Sequence, residues 1–293
     1  MDFQSWIKIE TARQKVATLP AVLEDLLRQT ATAEPLMGPM VARPGRDVSI
    51  LEQRQMSPRK GLALKEGQAR LLHDLGNIEL QAMELAARTL YEFPEAPPEF
   101  RNELVEIALE EATHFELCLN ALDELAIPWG TWPVHCSLWE AVGKYQNRAD
   151  LLGRIMLVHR YMEGSGLDAG ARILERLSGV NGRTEGPRGQ LTGNGILLTR
   201  KVVHRIVEDE IGHVSFGSRW YHAVCERNRI DANEHFKKSY PEILWLLPRT
   251  ERPAYDLRRQ AGFSEYELDV IGRALEMTDF STERPAERPK LDL

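Results

Sequence analysis

Helical periodicity dominates the chain, and alternating strand patterns are sparse. Between about Lys65 and Tyr91 the apolar positions Leu71, Leu72, Leu75, Ile78, Ala82, Met83 and Leu85 follow the three-to-four spacing of one helix face. This predicted helix A stops at the breaker cluster Phe93-Pro94-Glu95-Ala96-Pro97-Pro98. Helix B follows, with Pro98 in its first turn, a position proline tolerates, and runs to about Leu125. A crossover of about twenty residues contains Pro128, Gly130 and Pro133. Helix C is predicted from about Ala149 to Leu177, and a Gly-rich loop, Gly179 to Gly195, leads into helix D, about Ile196 to Arg227. Helical pieces near residues 3–17 and 20–32 precede the four, with an irregular stretch from Ala33 to Leu64 that carries Pro35, Pro39, Pro44 and Pro58. Shorter helices and a charged, Pro-containing tail follow them. The expected organisation is all-α: a helical and irregular extension (1–64) packed on a four-helix bundle (65–228), then a helical extension and tail (229–293).

Composition narrows this picture. The chain has 293 residues, 43% hydrophobic, enough to bury a substantial core. Its net charge of −7 argues against a generic polyanion binder. Basic clusters at Arg43, Arg46, Arg54, Arg59 and Lys60, and at Arg249, Arg252, Arg258 and Arg259, read as solvated faces or loop anchors rather than as a nucleic-acid surface. Cys118, Cys136 and Cys225 are odd in number and widely spaced, a pattern of buried, reduced thiols rather than of a disulfide framework. The first residues, Met1-Asp2-Phe3-Gln4-Ser5-Trp6, show no basic or apolar leader segment, and no apolar run approaches the roughly 20 residues that span a bilayer. A cytoplasmic protein without membrane contact is expected.

The candidate chemistry lies in a repeated pair. Helix B carries Glu111-Ala112-Thr113-His114, and helix D carries Glu210-Ile211-Gly212-His213. A Glu and a His three residues apart on a helix differ by about 60° in azimuth, so both can reach one metal ion. One such pair is weak evidence, since about one is expected by chance in a chain this long. Two, each on a long helix preceded by another, are harder to dismiss. A two-metal site in a bundle needs a further Glu from each remaining helix at the same height. In an antiparallel hairpin, residues at equal height are equidistant from the loop. Glu79 and Glu111 have their midpoint at residue 95, inside the Pro-rich turn; Glu163 and Glu210 have theirs at Gly186-Pro187, inside the Gly-rich loop. The crossover, reaching roughly 60 Å, is long enough to run the length of the bundle.

Four carboxylates and two imidazoles suit two divalent cations. Mixed oxygen and imidazole ligation favours iron or manganese over a thiolate-seeking metal. Glu110 and Asp209, each one residue before a ligand Glu, are placed to hydrogen-bond a ligand imidazole on their own helix or across the bundle. His159, four before Glu163, is either an extra donor at the site or a satisfied core histidine, the latter preferred. Tyr161 is either a redox relay or a buried bundle tyrosine, again with the latter preferred. Gly76, Gly164, Gly166 and Gly212 cluster at the same level, which reads as close helix approach rather than as room for oxygen and substrate. Glu84 lies well round the helix from Glu79, and His73, His135, His204, His222 and His235 lack a spacing partner; these are assigned no role.

Together, Glu79, Glu111-x-x-His114, Glu163 and Glu210-x-x-His213 resemble the diiron-carboxylate pattern of the ferritin-like superfamily. More specifically, the chain is similar to the bacterial ferritin-like family catalogued as domain of unknown function 455. The resemblance rests on Ala69-Arg70-Leu71-Leu72-His73, on Ile78-Glu79-Leu80-Gln81-Ala82-Met83-Glu84-Leu85 and on Glu163-Gly164-Ser165-Gly166-Leu167-Asp168. It continues in Glu208-Asp209-Glu210-Ile211-Gly212-His213-Val214 with Arg219-Trp220, and in Arg258-Arg259-Gln260-Ala261-Gly262-Phe263-Ser264-Glu265. It covers about residues 40 to 275; the Gly-rich insertion and the first forty residues depart from the pattern. The superfamily resemblance implies a ferritin-like four-helix bundle with a long B–C crossover, two non-haem metal ions (iron–iron, or an iron–manganese pair) and O2 as co-substrate.

The leading functional expectation is an O2-activating oxidase or oxygenase acting on a small molecule. Its electrons would come from a separate reductase or ferredoxin, because the chain has no flavin or nicotinamide motif. A modified RNA base is the less favoured substrate, given the acidic balance. The alternatives are a ferroxidase or iron-handling protein, and a non-enzymatic helical binding protein that retains metal. The extensions flanking helices A and D would crowd a storage cage, so a monomer or small homo-oligomer is expected.

Overall fold

A computed structural model describes residues 1–29, 40–145, 150–180, 193–247 and 252–279. Among these the regular structure is helical, apart from one isolated bridge between Ile50 and Val134. Two helices come first, α1 (Phe3–Trp6) and α2 (Ala12–Arg28). The bundle is built from α3 (Lys65–Glu92), α4 (Pro98–Glu124), a rod made of α6 (Leu151–Ile155), a π segment (Met156–Met162) and α7 (Glu163–Gly179), and α8 (Gly193–Asn228). The crossover between α4 and the third rod carries α5 (Ser137–Lys144). The chain then adds α9 (Ala232–Leu246), α10 (Tyr255–Gln260) and α11 (Glu265–Asp279). α3 packs on α4, α7 on α8, and α8 closes the bundle against α4 and α3. No helix among the described residues is long and apolar enough to cross a membrane.

The four predicted rods appear within a few residues of their expected ends. Three differences are informative. The amino-terminal helices break at residues 7–11 and not before Pro20, which lies inside α2. A proline within a helix costs about 3 kcal/mol or more. Here the apolar face formed by Leu19, Val22, Leu23 and Leu26 is wholly buried against the bundle, and that burial outweighs the lost hydrogen bond. Helix C is interrupted by its seven-residue π segment, which no periodicity announces. The Gly-rich loop falls largely on residues 181–192, outside the described residues.

Glycine placement also divides. A Cβ on Gly76 would stand 3.2 Å from Cys118 Cβ, and one on Gly164 would stand 2.9 Å from the Arg258 guanidinium, so close approach holds there. Gly166 and Gly212 face open space, contrary to the expectation of tight packing. All three cysteines are buried and free, as the spacing implied.

Buried ion pairs pin both extensions to the bundle. Glu84, fully buried on α3, receives Lys15 Nζ at 2.7 Å and both terminal nitrogens of Arg46 at 2.6 Å. At the other end, Arg258 of α10 grips Asp168 of α7 through two hydrogen bonds of 3.0 and 2.7 Å. Arg160 of the π segment lies 3.0 Å from Glu267 of α11, with its guanidinium 4.3–5.2 Å from the rings of Tyr221, Phe236 and Phe263. Arg46 and Arg258 are therefore buried anchors, not members of solvated basic faces.

Burial pushes the Glu84 carboxyl up, but Arg46 and Lys15 outweigh it and hold it below its ordinary range. The stability it contributes is complete above about pH 5 and is lost as the pH falls further. Glu84→Ala should therefore cost about 3–5 kcal/mol in urea unfolding at neutral pH, because it strands two buried cations. The gap to the wild type should narrow on acidification; a gap that is small or pH-independent would contradict this role.

Candidate metal centre

Five of the six predicted ligands meet at mid-bundle. Glu79 of α3, Glu111 and His114 of α4, and Glu210 of α8 each offer one donor atom, and these atoms lie within 4.8 Å of one another. His213 adds its Nδ1, 3.0 Å from Glu111 Oε1 and 3.4 Å from Glu210 Oε1. His114 Nδ1 lies 3.5, 3.7 and 3.9 Å from oxygens of Glu79, Glu111 and Glu210. Glu79 and Glu111 share one height because the Pro-rich turn makes α3 and α4 a tight antiparallel hairpin, so equal distances from residue 95 become equal heights. Glu163 adjoins this group, near enough for its charge to help raise Glu210. It lines the same cavity, and its Oε1 is hydrogen-bonded to His159 Nδ1 at 2.7 Å.

Two hydrogen bonds brace the site across the bundle. His114 Nε2 of α4 pairs with Asp209 Oδ2 of α8 at 3.1 Å, and His213 Nε2 of α8 pairs with Glu110 Oε2 of α4 at 2.8 Å. Each imidazole therefore presents Nδ1 inward and uses Nε2 to hold the opposite helix, which fixes its orientation. Asp209 is itself held by Arg205 at 2.7 Å.

The inner atoms have no protein partner of good geometry. Both oxygens of Glu111, Nδ1 of His114 and of His213, and Oε2 of Glu163 are buried without a hydrogen bond. Unsatisfied buried polar atoms are costly and normally rare. Their concentration at one point, with carboxylate and imidazole donors only, fits divalent cations of the iron or manganese type. Protein electrostatics agree. Burial, reinforced by Glu111, drives Glu79 well above its usual range and Glu210 up to about 7. Burial alone would lower His114, yet Glu111 and Glu79 carry it up to about 11, and His213 rises for the same kind of reason. Protons thus balance charge where bound cations would displace them.

A family model described as "Protein of unknown function (DUF455)" matches residues 8–269. The chain belongs to the DUF455 family. A Haemophilus influenzae relative, named "Uncharacterized protein", is 30% identical over 221 residues, covering 73% of this chain and 71% of that protein. No solved structure gives a significant match. The DUF455 match contains every residue of the cluster, the two braces and both sets of anchoring ion pairs.

Three further residues take definite places in this DUF455 protein. His159 is a partner of Glu163, not a member of the cluster. Tyr161 faces elsewhere: its hydroxyl donates to the Leu247 carbonyl and its ring lies 5.4 Å from that of Tyr240. His135, assigned no role, lines the cavity, and its carbonyl accepts from the Asn77 and Gln81 amides at 3.0 Å. Only its place in the crossover hinted at this. Glu110→Gln and Asp209→Asn should each weaken Fe(II) or Zn(II) binding about 10- to 100-fold in chelator competition. Unchanged affinity in both variants would show that the braces do not serve metal binding.

Proposed function

We propose that this protein is a ferritin-like, O2-activating oxidase or oxygenase with two non-haem metal ions, in which residues 65–228 form the metal-binding bundle and the flanking extensions cover it. The observation that carries the reading is the meeting of two Glu-x-x-His pairs and Glu79 around buried, unpartnered donor atoms. Glu79, Glu111, Glu210, His114 and His213 would hold the metal ions, with Glu163 as the sixth ligand. A bound pair of iron ions, or of iron and manganese, supplies the reduction of O2 that carboxylates and imidazoles cannot perform themselves.

The chain's own contribution is positional. Asp209 and Glu110 keep His114 and His213 aimed inward. His159 steadies Glu163 by one oxygen and leaves the other free to move toward a ligand. The cavity of about 550 Å³ beside the carboxylates gives a small-molecule substrate access, and Leu75, Ile78 and Met162 line it with apolar surface. This open cavity favours conversion of an organic substrate over iron handling, where iron alone need enter. Electrons are expected from a separate reductase or ferredoxin.

Anaerobic loading should give about two Fe(II) per chain, and mixing with O2 should produce a transient visible absorption. Glu111→Ala should lower the metal stoichiometry and abolish the transient. A silent spectrum at full iron occupancy would refute oxygen chemistry.

A further inference from the structure

The cavity is elongated. On α3, Leu71, Leu75, Ile78, Ala82 and Leu85 line it in one continuous stripe. Fourteen residues of helix separate the first from the last, a length of about 21 Å. The opposite wall runs the other way along the third rod, from Ile173 through Gly166 to Met162 and Val158. Leu71 shares an apolar cluster with Leu177 and Val207, and Ile173 packs against that cluster, which fixes one end. The other end lies at Leu85 and Val158, beneath α5, which packs on both α3 and the π segment. Glu79, Glu111, Glu163 and Glu210 interrupt this apolar slot part-way along. Ile78 and Ala82 are only half-buried, and Gly166 is exposed with no neighbour to a side chain, so the slot is open along that side.

The charged rim is unequal. Asp74 is held by Arg59 and Arg70, at 2.7 and 2.8 Å, and Glu140 is held by Arg43 at 2.7 Å. Each rim acid thus has its own guanidinium. Lys144, at the end of α5, also lines the slot and is exposed, and no carboxylate among the described residues pairs with it. A largely apolar trough about 21 Å long with one uncommitted cation on its rim suits an extended chain better than a compact polar metabolite or a flat nucleobase.

We infer that the slot binds an extended aliphatic chain with a terminal carboxylate, the carboxylate at Lys144 and the methylenes laid past the glutamates. This rests on the proposed function for its chemical purpose, but the binding itself does not require metal. Apolar contact along α3 and the third rod would give chain-length dependence, and Lys144 would give head-group preference.

The test is calorimetric titration of the full-length protein, as purified and after iron loading, with butanoate, octanoate, dodecanoate and hexadecanoate. Affinity should rise about fourfold per added methylene until the slot is full. Ala82→Trp, which narrows the slot, should weaken dodecanoate binding about tenfold or more. Lys144→Gln, a surface change that leaves the core intact, should weaken dodecanoate but not 1-dodecanol. Equal affinity for butanoate and hexadecanoate, or wild-type binding by Ala82→Trp, would overturn the chain assignment. An unaltered carboxylate-over-alcohol preference in Lys144→Gln would overturn the head-group assignment. Iron content and the O2 response of the same samples separate the two readings. Iron loading without chain binding refutes the slot and spares the metal centre; chain binding without iron loading does the reverse.

Discussion

Burying carboxylates is the constraint around which this protein is built. Removing an ion from water costs several kcal/mol even after relaxation, so each buried acid needs a charge of opposite sign. α3 meets that need in two ways within five residues. Glu84 receives Lys15 and Arg46, which the amino-terminal extension delivers into the core. Glu79, equally buried, receives no lysine or arginine; its neighbours are His114 and two more glutamates. Where the chain supplies its own cations, an acid is structural. Where it withholds them and gathers further acids instead, the balancing charge must come from outside, as protons or as metal ions.

The same logic explains the extensions. Lys15, Arg46, Arg160 and Arg258 are each nearly or wholly buried, and each meets a carboxylate presented by the opposite partner of its contact. Such pairs contribute modestly to net stability but punish any other arrangement, because a displaced partner leaves a bare charge. They therefore fix where the flanking segments sit. The amino-terminal segment anchors at Glu84 and α10 anchors at Asp168, each about one and a half turns beyond a candidate ligand, Glu79 and Glu163 respectively. Both extensions are thus tied to helices that carry candidate ligands.

Much of this was legible in the sequence, and for identifiable reasons. Hairpin symmetry located Glu79 from Glu111 because α3 and α4 are regular and their turn is short. The rods, the all-α class and the cross-bundle options for Glu110 and Asp209 follow from periodicity and one-residue offsets. Long-range charge pairing did not follow: nothing local distinguishes Arg46, fully engaged with Glu84, from Arg54, which stays at the surface with Glu52. Pro20 misled because local propensity was set against a burial energy that only the folded partner supplies. Glu163 was placed by the same symmetry, and it lines the cavity that Glu79, Glu111 and Glu210 also line.

The π segment bears on how Glu163 is held. Met156–Met162 immediately precedes Glu163, and an i→i+5 turn widens the helix and shifts the azimuth of the residues after it. Such a bulge needs room, and α8 provides it at Gly217, where a Cβ would stand 2.6 Å from His159 Cβ and 2.8 Å from its carbonyl oxygen. Gly217 lies one turn beyond His213, so one stretch of α8 supplies two candidate ligands and then the gap that accommodates the bulge beside a third. The regular hairpin of α3 and α4 fixes its carboxylates rigidly. The bulged rod instead leaves Glu163 on the cavity wall, held by His159 through a single oxygen. The site is therefore firm on the side where α4 and α8 cross-brace and adaptable on the side that faces the slot, the side from which a substrate would approach.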